Sequence, residues 1–269
     1  MLSGVPATSL WALRAKAEEN QKDKALLQDA LAAEWYPKIA WLFDEALEAQ
    51  YSQILQKAIV LRTLILDRLV KTHFQKHKNP GLLELGCGFS TRFARISPSQ
   101  GNWYDLDLPE IIELRASLGF PSQANHWHIV ASAFENDWFD YLQNQNPQEL
   151  LIIAEGLLMY FPLERVKTLI FSLKQKFPGA YFAFDVIGSM HLKSAQNAAE
   201  QTESPIYWGT ASISQFCKEM ELEIAGDLSL GTHLSLIPRL HSSLSPLTRS
   251  LLRWKWLSDK MGGSVLTKL

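Results

Sequence analysis

Residues 81–109 limit what this chain can fold into more than any other stretch. Gly81 to Leu85 reads Gly-Leu-Leu-Glu-Leu, a short apolar run with strand character and one acid, Glu84. Gly86 and Gly88 follow, with Cys87 between them, and helical character resumes from about Ser90. Trp103 to Leu106 reads as a second strand that ends on Asp107. A strand that turns sharply into a helix needs unusual backbone angles, and a bare main chain lets a ligand approach closely; glycine supplies both. An acid closing the next strand is placed to accept hydrogen bonds from a ribose diol, which favours Asp107 over Asp105, the latter lying inside the strand pattern. The spacing Gly86-x-Gly88-x-Ser90 lacks the third glycine of a dinucleotide fingerprint and puts a hydroxyl at the helix start.

The remainder of the chain repeats this alternation. Strand-like segments at His126 to Ala131, Leu150 to Ala154 and Tyr181 to Val186 alternate with helical ones at Glu110 to Leu118, through Trp138, and at Leu163 to Phe177. The pattern predicts an α/β fold with a doubly wound, mostly parallel sheet. It places the ligand cleft beyond the strands' carboxyl ends, at Gly86 to Ser90, Asp107, Ser132 to Phe134, Glu155 to Tyr160 and Asp185 to His191. Helical sequence precedes the sheet, from Ser9 to about Leu47 and from Gln50 to about Phe74. In the second helix Leu55, Ile59, Arg62 and Leu66 share a stripe. An arginine on an apolar stripe either pairs with a carboxylate such as Asp67 or receives an anionic ligand group. We read residues 1–78 as an N-terminal helical cap and 79–269 as the core, with a helical excursion near 235–260, in one compact domain overall. Leu222 to Leu230 and Ser264 to Lys268 read as late strands, with Gly226 a bulge position.

Composition narrows the function classes. Among 269 residues, 26 basic and 28 acidic side chains leave a net charge of −2, which does not point to a nucleic-acid partner. The longest apolar stretch, around Leu150 to Leu163, is split by Glu155 and stopped by Pro162, too short for a membrane span. Two distant cysteines, Cys87 and Cys217, match no metal spacing and suit a reducing, cytoplasmic setting; Cys87 reads as a small residue fitted between glycines rather than as a nucleophile.

Four pieces in order carry a family resemblance: Arg62-Thr63 with Asp67, Glu84-Leu85-Gly86-Cys87-Gly88, Leu106-Asp107-Leu108-Pro109-Glu110, and Ala154-Glu155-Gly156-Leu157-Leu158-Met159-Tyr160. Over about a hundred residues the chain resembles the leucine carboxyl methyltransferase-like O-methyltransferases, particularly the branch associated with polyketide biosynthesis. The resemblance implies a seven-stranded Rossmann-like methyltransferase sheet with a helical cap and an antiparallel last strand. It implies S-adenosyl-L-methionine as cofactor, with S-adenosyl-L-homocysteine as product. By the same resemblance Arg62 holds the methionine carboxylate, the Gly86 and Gly88 loop lies against the methionine portion, Asp107 takes the ribose and Glu155 lies near the amino group, with Glu84, Cys87, Leu108, Gly156 and Tyr160 as further cofactor-binding candidates. Relatives commonly carry an Asp-Leu pair against adenine where this chain has Ser132-Ala133-Phe134, so that contact falls to Ser132, backbone or water. Arg14 is expected to face the cofactor carboxylate from the cap, as a basic residue does in relatives.

A sulfonium methyl donor is already activated, so the protein's task is to align an acceptor oxygen and exclude water. A carboxylate acceptor needs no base; a phenol would use one, for which His191 and His233 stand nearest the strand ends, although each also reads as an ordinary packing or surface histidine. Met159, Tyr207 and Trp208 are candidates to line the acceptor pocket, while Trp254 and Trp256 read as packing for the terminal helices. The favoured reading is methyl transfer to a carboxylate or hydroxyl of a small, polyketide-like molecule, without nucleic acid or membrane as partner. The alternatives are a protein C-terminal carboxyl methyltransferase, which needs an open groove, a cofactor-binding relative without activity, and a nicotinamide-dependent oxidoreductase.

Overall fold

The structure, a computed structural model, describes residues 4–120, 123–145, 147, 149–199, 204–228, 233, 245–247, 250, 254 and 260–269. Four helices come first: α1 (Val5–Asn20), α2 (Ala30–Ile39), α3 (Glu45–Gln50) and α4 (Gln53–Lys76). Then follow β1 (Gly81–Leu85), α5 (Arg92–Ile96), β2 (Asn102–Asp107), α6 (Pro109–Ser117), β3 (His126–Val130), α7 (Asp137–Asn144), β4 (Leu150–Ala154), α8 (Leu163–Lys176) and β5 (Tyr181–Ile187). The described chain closes with α9 (Ser189–Ala199), α10 (Ile213–Glu219), β6 (Glu223–Leu228) and β7 (Gly262–Lys268).

The seven strands form one sheet in the order β3-β2-β1-β4-β5-β7-β6. The first five pair in parallel, and β7 runs antiparallel between β5 and β6. Strands β1 and β4 are buried at every position, as central parallel strands covered on both faces must be, which is why they read as near-continuous apolar runs. Their alternate residues feed two cores. Leu83, Leu85, Ile152 and Ala154 pack with Trp138, Val166 and Phe216 of the helices on one face, while Leu82, Leu151 and Ile153 pack with Leu66, Val70 and Phe93 on the other. A third core joins α1, α2 and α3 to the glycine loop and α6 through Leu10, Leu13, Trp35, Phe89 and Ile111.

Several boundaries follow from local chemistry. Pro109 opens α6, where its missing N–H costs nothing. Helix α5 begins at Arg92 rather than Ser90 and lasts five residues, ending on Ser97 at φ 47°. The β6–β7 register shifts between Ile224 and Gly226, within a residue of the expected bulge. Most of the excursion near 235–260, Trp256 included, lies outside the described residues; Trp254 is 49% exposed. Among the described residues no helix is long and apolar enough to cross a membrane.

The connections from β1 lead to β2 and β3 on one side, and the chain returns to β4 on the other. Between these central strands the winding reverses, which opens a crevice at their carboxyl ends.

Candidate active site

A cavity of about 420 Å³ occupies that crevice. It is floored by the ends of β1, β2 and β4 and roofed by α1, and within it the sheet-derived candidates converge: Glu84 near the end of β1 with Gly86, Cys87 and Gly88 after it, Asp107 ending β2 with Leu108 after it, and Ser132, Ala133 and Phe134 after β3. Glu155, Gly156, Met159 and Tyr160 line it after β4, and Arg62 reaches it from α4.

The glycine turn is forced by space as well as by backbone angle. Gly86 has φ +61°, and a Cβ there would stand 2.7 Å from Leu157 Cδ1; Gly88 has φ +49°, and its Cβ would stand 2.8 Å from Ser9 Cβ on the roof. The Gly88 amide donates to Asp107 Oδ2 at 2.6 Å, and the Leu108 amide donates to Oδ1 at 2.7 Å. Burial pushes the Asp107 pKa up while these amides pull it down. Burial also drives the Cys87 thiol well above its ordinary value, which suits a packed residue and not a nucleophile.

Behind the loop lies an ionic lattice. Arg62 donates through Nε to Glu155 at 2.9 Å and through Nη1 to Asp185 at 2.9 Å. Arg92 binds Glu84, Asp67 and Glu155, and Arg95 joins Asp67 to Asp29. Asp67 is thus taken by Arg92 and Arg95, not by Arg62. Desolvation opposes the charges of Arg62 and Glu155, but Arg62 and Arg92 hold the Glu155 carboxyl well below its usual range, and Asp185 with Glu155 holds the Arg62 guanidinium up. With Lys16, four cations face five carboxylates, one negative charge in excess. One acceptor is left over: Glu84 Oε2 is buried without a hydrogen-bond partner. Such an orphan beside a cavity marks a place for a donor.

Lys16 has no place among the sequence candidates, and Arg14 does not do what was expected of it. Arg14 donates to Glu18 at 2.7 Å and to Glu48, and lies over the rings of Phe43 and Tyr51 at 4.7 and 4.1 Å, away from the cavity. Two residues on, Lys16 is 4% exposed, lines the cavity and donates to the Phe89 carbonyl at 3.2 Å. Desolvation, helped by Arg95, lowers its pKa to about 8. The signal was the stripe Val5, Ser9, Ala12, Lys16, at helical steps of four, three and four, all of which face the cavity.

Other candidates fall outside. His191 is exposed on α9, and neither it nor His233 lines the cavity. Tyr207 is 53% exposed, and Trp208 is a core residue whose Nε1 donates to the Leu158 carbonyl at 3.0 Å and whose ring stacks on Phe216. Their neighbour Ile206 lines the cavity instead, with Ala195 and Ser204. At the β3 end the Phe134 amide donates to Ser132 Oγ at 3.3 Å, and the Phe134 ring packs on Phe161 with centroids 3.9 Å apart.

The mostly parallel seven-stranded sheet with its antiparallel strand β7, together with the matches that follow, places the chain among S-adenosyl-L-methionine-dependent methyltransferases. Residues 7–173 match the sequence profile of the leucine carboxyl methyltransferase family, more than half of the chain, and the chain belongs to that family. It is 28% identical over 211 residues to the tetracenomycin polyketide synthesis O-methyltransferase of Streptomyces glaucescens, covering 77% of this chain and 76% of that protein. A Streptomyces coelicolor protein named as an S-adenosyl-L-methionine-dependent methyltransferase is 28% identical over 181 residues, covering 62% of this chain and 64% of its own length. Among solved structures, a Thermobifida fusca chain described as a methyltransferase superposes with a TM-score of 0.57 at 13% identity, covering 99% of this chain and 94% of that one, a likeness of fold. The nicotinamide reading falls with this assignment.

Proposed function

We propose that this methyltransferase transfers the methyl group to an oxygen of a small molecule that enters the cavity already ionised, a carboxylate or an acidic phenol. The observation that carries the reading is the chemistry of the lining. Among the described residues around the cavity there is no histidine, the carboxylates Glu155 and Asp185 are tied to Arg62, and burial pushes the Tyr160 hydroxyl up. Glu84, Asp107 and Lys16 also line the cavity, and with these three given to the cofactor the lining leaves an acceptor no base of its own, which an ionised oxygen does not need. The roof supplied by α1 favours a small acceptor over a chain terminus, and the apolar side chains of Trp11, Leu55, Ile59 and Ile206 favour an apolar body. The name of the Streptomyces glaucescens relative, a polyketide O-methyltransferase, supports the same class of acceptor.

When bound, S-adenosyl-L-methionine supplies an activated methyl on a sulfonium centre. We assign Glu84 Oε2 and Glu155 to its amino group, Arg62 and Lys16 to its carboxylate, Asp107 to its ribose, and Ser132 with Phe134 to the adenine. The excess negative charge of the lattice suits a cofactor whose net charge is positive. Residues 1–78 act as a cap whose first helix excludes water, and residues 79–269 as the core. The buried thiols of Cys87 and Cys217 suit a cytoplasmic setting.

Thermal melting tests the cofactor assignment: S-adenosyl-L-homocysteine raises Tm, NAD does not, and Arg62→Ala or Asp107→Ala weakens binding at least ~10-fold, about 1.4 kcal/mol. Unchanged affinity in both variants removes the site assignment. A panel of carboxylic acids, phenols and aliphatic alcohols then tests the acceptor class; turnover of the alcohols alone overturns it.

A further inference from the structure

Arg115 lies on α6, outside the cavity, and is fully buried. Its Nη1 donates at 2.8 Å to the carbonyl of Gly88 and at 2.8 Å to that of Ser90, while Nη2 binds the Asp105 carboxylate. The guanidinium is packed against Phe120 at 4.6 Å and near Trp35 at 5.9 Å. Asp105 is held in turn: Trp103 Nε1 donates to Oδ1 at 2.9 Å, and His126 Nε2 sits 2.9 Å from Oδ2. Asp105, His126 and His128 stand close enough to share a cation, but both oxygens of Asp105 are already engaged, by Arg115, Trp103 and His126, so the cluster reads as support and not as a metal site.

Gly88 is the turn residue whose amide bonds Asp107 and whose missing Cβ leaves room for the roof. The carbonyls of residues 88, 89 and 90 are therefore drawn off by Arg115, Lys16 and Arg115 respectively. We propose that Arg115 is a positioning residue for the cofactor: its planar fork clamps two loop carbonyls against a fixed carboxylate, setting the backbone angles of the Gly86–Ser90 turn and, through the Gly88 amide, the orientation of Asp107. A fork with rigid geometry can do this; a single ammonium cannot hold three acceptors in one plane. The inference rests on the cofactor assignment above.

The test measures S-adenosyl-L-homocysteine affinity by calorimetry, and amide hydrogen exchange, on the wild-type chain, Arg115→Lys, and the double variant Arg115→Gln with Asp105→Asn, which replaces the buried ion pair by neutral groups. Expected in each folded variant is an affinity loss of at least ~10-fold, with faster exchange confined to residues 86–92 and unchanged protection in β4 and β5. Wild-type affinity in either folded variant overturns the proposal. So does a loss accompanied by faster exchange throughout the sheet, or failure of both variants to fold, since either assigns Arg115 to stability alone. A wild-type chain that binds no S-adenosyl-L-homocysteine fails the cofactor assignment itself, a distinct result.

Discussion

Two carboxylates on neighbouring strands, Glu84 of β1 and Asp105 of β2, are paired in register and almost equally buried, yet they serve different ends. Asp105 has both oxygens occupied, by Trp103 on one and by Arg115 and His126 on the other. Glu84 gives one oxygen to Arg92 and leaves the other without a partner at the cavity wall. A saturated buried carboxylate holds neighbouring parts together; an unsaturated one is costly unless a ligand completes it. The contrast separates support from site more sharply than burial or charge does, because by those measures the two acids are alike.

The largest effect should come from breaking the saturated acid. Asp105→Leu leaves the buried Arg115 without its carboxylate and should cost about 3–5 kcal/mol of folding stability, read by urea denaturation. A cost below ~1 kcal/mol would show that Asp105 does not carry this support. The open acid should behave in the opposite way. Glu84→Gln keeps the shape and a bond to Arg92, so its main effect should be on cofactor affinity, about 2 kcal/mol or ~30-fold by calorimetry. Should stability fall while affinity holds, the two acids have been assigned the wrong way round.

The pH dependence sharpens the comparison further. In the free protein Lys16 titrates at about 8, and a ligand carboxylate brought beside it would raise that value. Binding then takes up a proton, so affinity should fall as pH rises through about 8, by as much as ~10-fold per unit, and Lys16→Met should flatten the profile. The unliganded fold responds with the other sign. Its Lys16 pKa lies below the ordinary 10.5, the unfolded chain binds the proton more tightly, and stability from this group rises between pH 8 and 10.5. Parallel trends in affinity and stability would remove Lys16 from the carboxylate site. The smallest effect belongs to Arg14→Ala: its partner Glu48 is 60% exposed, so cap stability should change by less than about 1 kcal/mol and affinity by less than ~2-fold.

Much of this was legible in sequence because it is local. The Gly86 and Gly88 turn, Asp107 at the strand end and Glu155, Gly156, Met159 and Tyr160 after β4 depend on covalent spacing along a strand and the turn after it, and all of them line the cavity. The mostly parallel, doubly wound sheet followed from the alternation of apolar runs with helices, while its strand order came from the structure. What spacing could not settle was which way a side chain faces on a helix that can be rotated. Arg14 and Lys16 are two positions apart on α1, about 200° around the axis, and the packing of Leu10, Leu13 and Ala17 against α2 and the loop turns Lys16 inward. The histidine candidates failed for a related reason: a position near a strand end in sequence does not place a side chain in the cleft.

The sequence by itself thus determined the fold class, the glycine turn and the strand-end residues that line the cavity, because strand period, backbone angle and turn chemistry act over a few residues. Only the tertiary structure decided how the buried charges are shared out. Arg62 is committed to Glu155 and Asp185, Asp67 to Arg92 and Arg95, Arg115 to the turn, and one oxygen of Glu84 to nothing. Those pairings join residues 25 to 123 positions apart, and in a low-dielectric interior the partner a charge finds depends on distances that no local pattern encodes.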